Sequence, residues 1–396
     1  MSKIYLNLAQ MGGEEIKYVQ KAFDDDWVAP LGPNVDGFEE DLKQYLGGEK
    51  EVLALSSGTA AIHLGLVGCG VSAGDEVIAQ SNTFCASVNP ILYLGAKPIL
   101  VESESETWNM DPDLMEEAIK DRIAKTGRTP KAIVPVSLYG MSYMIDRIME
   151  VADRYGIPVV EDSAEALGST FEGRPLGTFG KFGVLSFNGN KMITTSGGGA
   201  LICPDARTKE RMLHFATQAR EPYPFYQHQD LGYNYRMSNV CAGIGRGQMT
   251  VLQAHIDRHR EVAGMYRELL GGIPGIKVHD NPSPKIESNF WLSVITLNSD
   301  LIVSGQEEYS QKIDGMLGPN PNVEALMNIL GKAGVESRPL WKPMHLQPLY
   351  QGAPFYGNSL KVSENLFKTG FCLPSGPRVS DADIHRICAI ILEGIV

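Results

Sequence analysis

The chain has 396 residues, of which 43% are hydrophobic and 21% are charged. This composition is typical of a soluble globular protein with one large domain and a smaller one. The formal net charge of -12 argues against nonspecific nucleic-acid binding and against an anionic membrane surface as a partner, although local amides and lysines can still bind a small anion.

The cysteines and the N-terminus indicate a cytoplasmic protein. Six cysteines are scattered without a CxxC pair, and most lie in or before apolar runs, so we expect buried free thiols in a reducing compartment. The first residues contain no apolar segment of a secretory signal, and no apolar run is long enough to span a bilayer. His255 and His259 lie in a charged helical stretch, which favours a solvated helix face over a metal site.

The first part of the chain, up to about residue 50, is predicted to form an arm and two helices. One helical pattern contains Ile16 and Phe23 and breaks at three aspartates, and a second begins near Phe38. The apolar loop between them, 27–33, is bracketed by prolines. A loop this apolar usually packs against its own core or against the site of a neighbouring subunit.

Short apolar runs alternate with helical patterns from residue 52 onward. The predicted strands are 52–55, 76–79, 98–101, 132–135, 157–160, 184–187 and 200–203. The predicted helices are 56–69, 82–94, 112–124, 144–155 and 205–218. Such alternation predicts an α/β fold with a mostly parallel sheet covered on both faces by helices, right-handed connections, and ligands bound at the carboxyl ends of the strands.

The second half of the chain is predicted to contain a functional loop and a smaller domain. Residues 221–236 are aromatic, interrupted by proline and non-periodic, as expected of a long functional loop. One long helix is predicted over 239–270. We therefore predict a large domain over 1–270 and a small C-terminal α/β domain over 271–396, the latter with a strand at 290–296 and helices at 323–333 and 381–395.

The stretch 183–200 contains the most informative lysine. A buried strand, 184–187, ends in the turn sequence Asn188-Gly189-Asn190, and Lys191 follows directly. A partly buried lysine at such a turn is a candidate Schiff-base lysine, because burial favours the neutral amine that attacks carbonyl groups. The alternative, a surface hairpin with an incidental lysine, is equally well supported by this stretch alone.

Three other strand ends carry candidate ligand-binding groups. The Ser57-Gly58-Thr59 turn opens a helix and suits a phosphate, although an ordinary N-cap turn is the better interpretation of it alone. Phe84 could stack on a flat ring, although a core phenylalanine is the better interpretation of it alone. Asp162 ends a buried strand and needs a partner such as a protonated pyridine nitrogen, and a helix-capping aspartate is equally plausible.

The combination of these groups is more specific than any one of them. A phosphate-binding turn, a stacking aromatic ring, a strand-end aspartate and a lysine occur in this order, each after its own strand. Together they are the groups that pyridoxal phosphate requires. The aspartate would keep the pyridine nitrogen protonated, and the lysine would carry the cofactor and shuttle a proton.

The chain resembles the sugar aminotransferases of the DegT/DnrJ/EryC1/StrS family, which are pyridoxal phosphate enzymes of fold type I. The resemblance covers nearly the whole chain, and it is carried by the motifs 29–32, 57–60, 161–166, 186–191 and 232–238. Residues 186–199 and 338–345 are most similar to the branch that aminates UDP-2-acetamido-4-keto-2,6-dideoxyglucose. The fold that this resemblance implies is a large domain with a seven-stranded type of sheet and a smaller C-terminal domain.

The resemblance also implies roles for individual residues. Lys191 would form the Schiff base, Asp162 would pair with the pyridine nitrogen, and Phe84 would stack on the ring. Further cofactor contacts would come from Ser57, Gly58, Thr59, Glu165, Ser186, Asn188 and, from the neighbouring subunit of a homodimer, Asn234. Nucleotide-sugar contacts would come from Asp26, Trp27, Val28, Ala29, Lys342, Pro343, Met344 and His345. The roles of Arg220, His228 and Arg236 stay open.

Two positions depart from the usual pattern of the family. Many relatives carry histidine where this chain has Asn188, which cannot titrate near neutral pH and so cannot relay a proton. Relatives usually carry glutamine near the ring hydroxyl, where this chain has Glu165, so the protonation of that hydroxyl is not fixed by the resemblance.

The sequence therefore predicts a transaminase that takes the amino group of L-glutamate and transfers it to C4 of a nucleotide-linked 4-keto-6-deoxy sugar. The UDP-linked sugar named above is the first candidate, and GDP-4-keto-6-deoxymannose is the alternative. A dehydratase of the same fold is a weaker alternative, because those relatives replace the lysine with histidine. A cofactor-sensing regulator is weaker still, because the chain has no basic DNA-binding segment. No metal site is predicted.

Overall fold

The computed structural model describes residues 3–298 and 300–396. The helices are α1 Glu15–Asp24, α2 Pro33–Tyr45, α3 Gly58–Gly68, α4 Asn89–Tyr93, α5 Pro112–Thr126, α6 Ile145–Tyr155, α7 Ala206–Ala216, α8 Asn239–Met249, α9 Leu252–Leu270, α10 Pro321–Lys332, α11 Val362–Thr369 and α12 Asp381–Gly394. The strands are β1 Glu51–Leu55, β2 Glu76–Gln80, β3 Lys97–Val101, β4 Ala132–Val134, β5 Val160–Asp162, β6 Thr170–Phe171, β7 Arg174–Pro175, β8 Phe182–Ser186, β9 Gly199–Cys203, β10 Ile276–Val278, β11 Ile286–Glu287, β12 Ser293–Leu297, β13 Lys312–Ile313, β14 Met316–Leu317, β15 Arg338–Pro339, β16 Phe355–Tyr356 and β17 Gly370–Leu373.

A central sheet with the strand order β16-β3-β2-β4-β5-β8-β9-β1 organises the fold. Its two halves meet at parallel bridges between Ile133 and Val159 and between Val136 and Asp162. Strand β2 pairs in parallel with β3 and β4, and β5 pairs in parallel with β8, whereas β9 runs antiparallel to both of its neighbours. The predicted mostly parallel sheet is confirmed.

Both faces of the central sheet are buried under helices. On one face Leu201 and Phe182 pack with Leu64 of α3, and on the other Ile78 packs with Ile119 of α5 and other apolar side chains. The strands are therefore continuous apolar runs rather than alternating ones, as expected for a sheet that is covered on both sides. Each fully buried side chain of this size contributes about 1.5–3 kcal/mol.

Two predicted helices are interrupted. The predicted helix 239–270 is two helices, because Val251 leaves helical geometry with a φ of -116° and a ψ of 2° and the Thr250 hydroxyl donates to the Gly247 carbonyl at 2.6 Å. The predicted helix 82–94 is a short turn followed by α4. Pro90 lies in the first turn of α4, where its missing N–H does no harm.

Two strands are displaced from their predicted positions. Strand β5 covers Val160–Asp162 rather than 157–160, and Asp162 is its last residue, as predicted for the aspartate at the end of this strand. Strand β12 begins at Ser293 rather than at Phe290, because the backbone at Phe290 has a positive φ of 48° that no strand adopts.

The C-terminal part of the chain forms a second sheet with the strand order β10-β12-β17-β15, in which every pairing is antiparallel. Helices α10 and α12 pack on this sheet, and α9 contributes Tyr266 to the same core. Strand β16 pairs with β3 of the central sheet. The division into 1–270 and 271–396 stays a prediction.

The histidine pair on α9 is buried, which makes the predicted solvated face wrong. His255 and His259 are 6% and 1% exposed, and their ring nitrogens lie 3.3 Å and 3.2 Å from the carbonyl oxygens of Met192 and Phe290. Burial lowers the pKa of His259 to about 4, so its ring is neutral at physiological pH. Among the residues that the structure describes, no group of histidine, cysteine and acidic side chains is arranged to hold a metal ion.

The six cysteines are all free thiols. Four of them are buried, and Cys85 and Cys241 are partly exposed. Within residues 3–298 and 300–396, no helix combines the length and the apolar character needed to cross a membrane.

The junction between β8 and the loop before it is a sensitive point of the fold. A Cβ atom at Gly183 would lie 1.9 Å from the Gly177 carbonyl oxygen, so Gly183→Ala must displace backbone. We expect this variant to lose about 1–3 kcal/mol of the free energy of unfolding, seen as a lower melting temperature. Gly331→Ala in α10 is the matched control, because a Cβ there meets nothing within 4 Å, and an equal loss in that variant would contradict the steric explanation.

Candidate active site

A cavity of about 400 Å³ lies at the carboxyl ends of several strands of the central sheet. Its walls come from the segments after β1, β2, β5 and β8, with Trp291 and Trp341 added from the C-terminal part of the chain. The cavity brings together nine of the predicted site residues, which are Ser57, Gly58, Thr59, Phe84, Asp162, Glu165, Ser186, Asn188 and Lys191.

The first turn of α3 forms the anion-binding end of the cavity. Ser57 is the N-cap, with extended backbone and a side chain that accepts from the Ala60 N–H at 3.0 Å. The N–H groups of Gly58 and Thr59 lie in the first turn, where no helical carbonyl can reach them. A Cβ at Gly199 would come within 2.4 Å of the Gly58 nitrogen, so only glycine lets β9 approach this turn so closely.

Asp162 supplies a buried carboxylate at the end of β5. It is 4% exposed, and its Oδ2 accepts from the Ser87 hydroxyl at 2.6 Å while its Oδ1 accepts from the Ala164 N–H at 3.2 Å. The Ser87 hydroxyl also lies 2.6 Å from that of Thr83. Burial raises the pKa of Asp162 above its usual value despite these hydrogen bonds, so the charged form needs a cation beside it.

Lys191 lies between a carboxylate and an indole ring. Its Nζ is 3.3 Å from Glu165 Oε1 and 3.8 Å from the centroid of the Trp291 ring. The other oxygen of Glu165 accepts from the Tyr139 N–H at 2.6 Å. Burial raises the pKa of Glu165, and the charge of Lys191 opposes this effect. The lysine that follows the exposed turn is therefore held inside the cavity.

Phe84 forms an accessible wall of the cavity rather than part of the core. Phe84 is 49% exposed, and its ring centroid lies 5.2 Å from the ring centroid of Trp341. The core-phenylalanine alternative is therefore wrong. A second cavity of about 330 Å³ shares Thr83, Phe84 and Trp341 with the first and extends to Lys342 and Met344.

The segment 342–345 only partly faces open space. Met344 is 2% exposed, and its N–H donates to the Ser81 carbonyl at 2.8 Å. The His345 ring packs on Phe355 with centroids 3.8 Å apart and bonds to the Ser81 hydroxyl at 2.8 Å. Pro343 is also buried, so Lys342 is the member of the segment whose charge is best placed to meet a ligand. The substrate contacts of this segment stay a prediction.

The other predicted site residues lie outside the cavity of their own chain. Asn234 is exposed and accepts from Gln218 at 3.1 Å. The loop Asp26, Trp27, Val28 and Ala29 is held on α8, because Asn239 donates to the carbonyls of Trp27 and Ala29 at 2.9 Å and 2.8 Å. Their contacts with a neighbouring subunit stay a prediction.

The three residues with open roles make contacts within the protein. The Arg220 guanidinium lies 4.2 Å from the Tyr226 ring centroid, and the His228 ring bonds to the Gln218 carbonyl at 2.8 Å. Arg236 pairs with the buried Glu39 and donates to the Ala54 carbonyl at 3.0 Å.

Sequence reasoning missed Ser87, Tyr139, Trp291 and Trp341. The spacing of Thr83 and Ser87 after β2 is a signal that could have found Ser87, because positions four apart can share one face of a helical turn. Trp341 lies within the motif 338–345, but no role in the site was predicted for it. No local pattern marks Trp291, since only the packing of distant segments brings it to the cavity.

The residues present fit pyridoxal phosphate. A helix N-terminus suits the phosphate, the Asp162 carboxylate needs a cation such as a protonated ring nitrogen, Phe84 offers an aromatic face, and Lys191 offers an amine within the same cavity. The fold and site thus define a pyridoxal phosphate-dependent aminotransferase of fold type I, a class that the following comparisons support.

The model of the DegT/DnrJ/EryC1/StrS aminotransferase family matches residues 9–392, and the chain belongs to this family. It is 43% identical over 393 residues to the "Putative pyridoxal phosphate-dependent aminotransferase EpsN" of Bacillus subtilis (strain 168), covering 99% of this chain and 95% of EpsN. It is 34% identical over 381 residues to the GDP-perosamine synthase of Escherichia coli O157:H7, covering 96% and 95% of the two chains. The crystal structure of a family member from Brucella abortus superposes with a TM-score of 0.85 at 26% identity, covering 96% of this chain and 95% of that chain. The chain is a pyridoxal phosphate-dependent sugar aminotransferase.

Replacing Asp162 separates its effect on folding from its effect on cofactor binding. The pKa of Asp162 is raised in the folded state, so the free energy of unfolding falls as the pH rises from the ordinary pKa to the folded-state pKa and the carboxyl group ionises. This loss of stability is present at neutral pH. Asp162→Asn should therefore raise the melting temperature of the cofactor-free protein at neutral pH by a few degrees and weaken pyridoxal phosphate binding about a hundredfold. Thermal scans and cofactor titrations measure the two effects, and unchanged affinity would contradict the assignment.

Proposed function

We propose that this enzyme transfers the amino group of L-glutamate to C4 of a nucleotide-linked 4-keto-6-deoxy sugar. The observation that carries the proposal is the placement of Lys191, Asp162, Phe84 and the first turn of α3 around one cavity. The adjoining cavity at Lys342 supports a substrate larger than an amino acid, because it provides a cation beyond the reacting groups where a diphosphate could lie.

Bound pyridoxal phosphate supplies an electron sink for the carbon that gains or loses the amine. Asp162 would hold the charge of the ring nitrogen, and Ser57, Gly58, Thr59 and Ser186 would hold the phosphate. Lys191 would anchor the cofactor and move the proton between the cofactor and the sugar carbon. Asn188 has no titratable group, so we assign it no proton transfer.

The first candidate acceptor is UDP-2-acetamido-4-keto-2,6-dideoxyglucose, which is supported by the motifs at 186–199 and 338–345. The second candidate is GDP-4-keto-6-deoxymannose. It is favoured by three relatives named GDP-perosamine synthase, which are 32–34% identical to this chain over nearly its whole length. The two acceptors share the ketone chemistry and differ in the nucleotide and in the group at C2.

The active unit that we propose is a homodimer with shared active sites, in which Asn234 and the loop 26–29 of one subunit reach the cavity of the other. Support comes from their position outside their own cavity and from exposed apolar side chains nearby, of which Val28 is 55% and Leu31 is 54% exposed. We also propose a cytoplasmic location, which the free thiols support.

Removing the amine of Lys191 tests the chemistry. Lys191→Ala should lower turnover by about a thousandfold or more and abolish the visible absorption of attached cofactor, because no other amine among the described residues lines the cavity. Lys181→Ala is the matched control, since Lys181 lies outside the cavity and its Nζ bonds to the Gly68 carbonyl at 3.3 Å. Full turnover in Lys191→Ala would refute the proposal.

The acceptor is identified by a spectroscopic half-reaction. Adding L-glutamate to the yellow enzyme should bleach the visible band, and only the true acceptor should restore it. UDP- and GDP-linked 4-keto-6-deoxy sugars are added one at a time. Recovery with the GDP sugar alone would select the second candidate, and recovery with neither would refute both.

A further inference from the structure

The backbone carbonyl just before Lys191 is held by two side chains from distant parts of the sequence. The Asn190 oxygen accepts from Trp291 Nε1 at 2.6 Å and from Asn7 Nδ2 at 2.9 Å. One donor belongs to the N-terminal segment, and the other lies two residues before β12. Two donors on one carbonyl fix the peptide that leads into Lys191.

The turn that these donors hold is otherwise open. Asn188, Gly189 and Asn190 are all exposed, and within the turn the Lys191 N–H donates to the Asn188 carbonyl at 2.9 Å. An exposed turn that contains glycine has many accessible conformations. External anchors are therefore needed to keep Lys191 at one place in the cavity.

The same tryptophan also contacts the other end of the lysine. Lys191 Nζ lies 3.8 Å from the centroid of the Trp291 ring, a distance at which the ring attracts an ammonium group. The two carboxylates whose charges act on Lys191 are Glu165, 3.3 Å away, and Asp162. Trp291 thus touches Lys191 through its amine and through the peptide that precedes it.

Trp291 is itself fixed relative to Glu165. It is 2% exposed, and its backbone N–H donates to Asn289 Oδ1 at 2.8 Å. The Asn289 amide in turn donates to the carbonyls of Glu165 and Leu167, each at 2.9 Å. Contacts therefore connect the Glu165 backbone to Asn289, Asn289 to Trp291, and Trp291 to Lys191. The Lys191 amine in turn contacts the Glu165 side chain.

We propose that Trp291, assisted by Asn7, is a positioning residue that fixes the place of the Lys191 amine in the cavity. The inference rests on the proposed role of Lys191 in holding the cofactor and is independent of which sugar is the acceptor. A tryptophan that only filled the core would need neither its indole N–H nor the face of its ring toward the amine.

Two substitutions separate the two contacts. Trp291→Phe keeps an aromatic face and removes the N–H, whereas Trp291→Leu removes both. Asn7→Ala removes the second donor to the Asn190 carbonyl and leaves Trp291 intact. Trp108→Phe is the matched control, because Trp108 is also buried but stacks on His279 at a centroid distance of 3.7 Å.

The first readout does not depend on activity. The full-length protein freed of cofactor is treated with an amine-acylating reagent at one fixed pH, and the rate at which Lys191 is labelled is quantified by mass spectrometry. Loss of the ring that contacts the amine leaves Nζ less firmly held, so Trp291→Leu should raise the labelling rate of Lys191 about threefold. Trp108→Phe should keep the labelling rate of the unmodified protein.

The second readout is the separation of kcat from KM. Trp291→Phe should lower kcat about tenfold and leave KM for L-glutamate within about twofold, because a misplaced amine slows proton transfer without changing substrate binding. Asn7→Ala should lower kcat about threefold, since one donor remains. Trp108→Phe should lower the melting temperature without changing kcat.

The outcomes are distinct. An unchanged labelling rate in Trp291→Leu together with an unchanged kcat in Trp291→Phe would overturn the inference and leave Trp291 as a core residue. If Trp291→Leu does not fold, the kcat values of Trp291→Phe and Asn7→Ala still decide, and unchanged values overturn the inference. If the unmodified protein does not attach pyridoxal phosphate, the proposed function fails first, and the inference fails with it.

Discussion

The Asp162 carboxylate lies at the end of β5 with almost no exposure to water, and its two oxygens are held by the Ser87 hydroxyl and the Ala164 N–H. These neutral donors reduce the free-energy cost of burying the charge without cancelling it, because the pKa of Asp162 stays raised. The charge of Lys191 also acts on Asp162 and does not cancel this cost either. A further cation beside the carboxylate would therefore be favourable, and in the proposed function a protonated ring nitrogen would supply it.

The remaining groups are arranged around this carboxylate by the strand order. Strands β2, β4, β5 and β8 are mutually parallel across the join of the two half-sheets, so the segments that follow them meet at one edge. Lys191 comes from the last of these segments and is the least constrained by the sheet, because a glycine-containing turn precedes it. The side chains of Asn7 and Trp291, which hold the carbonyl of Asn190 just before Lys191, both lie outside the sheet.

This division explains which parts of the site the sequence could predict. Ser57, Phe84, Asp162 and Ser186 each end or follow a strand, and parallel alternation alone brings such positions together. Trp291 and Trp341 come from segments whose position depends on tertiary packing, so no periodicity marks them. The same limit applies to the fold. The alternation of elements was predictable, whereas the break at Thr250 and the burial of His255 and His259 depend on local competition and long-range contacts that the helical pattern does not contain.

The reaction type and the choice of sugar differ in predictability for a physical reason. The groups proposed to bind the cofactor and to transfer the proton face one cavity of a single chain, where their distances and burial can be measured. The proposed sugar contacts lie at Lys342 on the rim of that cavity and on exposed segments such as the loop 26–29, which meets nothing of its own site. An exposed side chain contributes most of its share of the binding free energy, and so of the substrate specificity, only when a ligand or a second subunit removes it from water. In the proposed function, specificity would therefore depend on the assembled complex, whereas the groups proposed for the chemistry already meet in the fold of one chain.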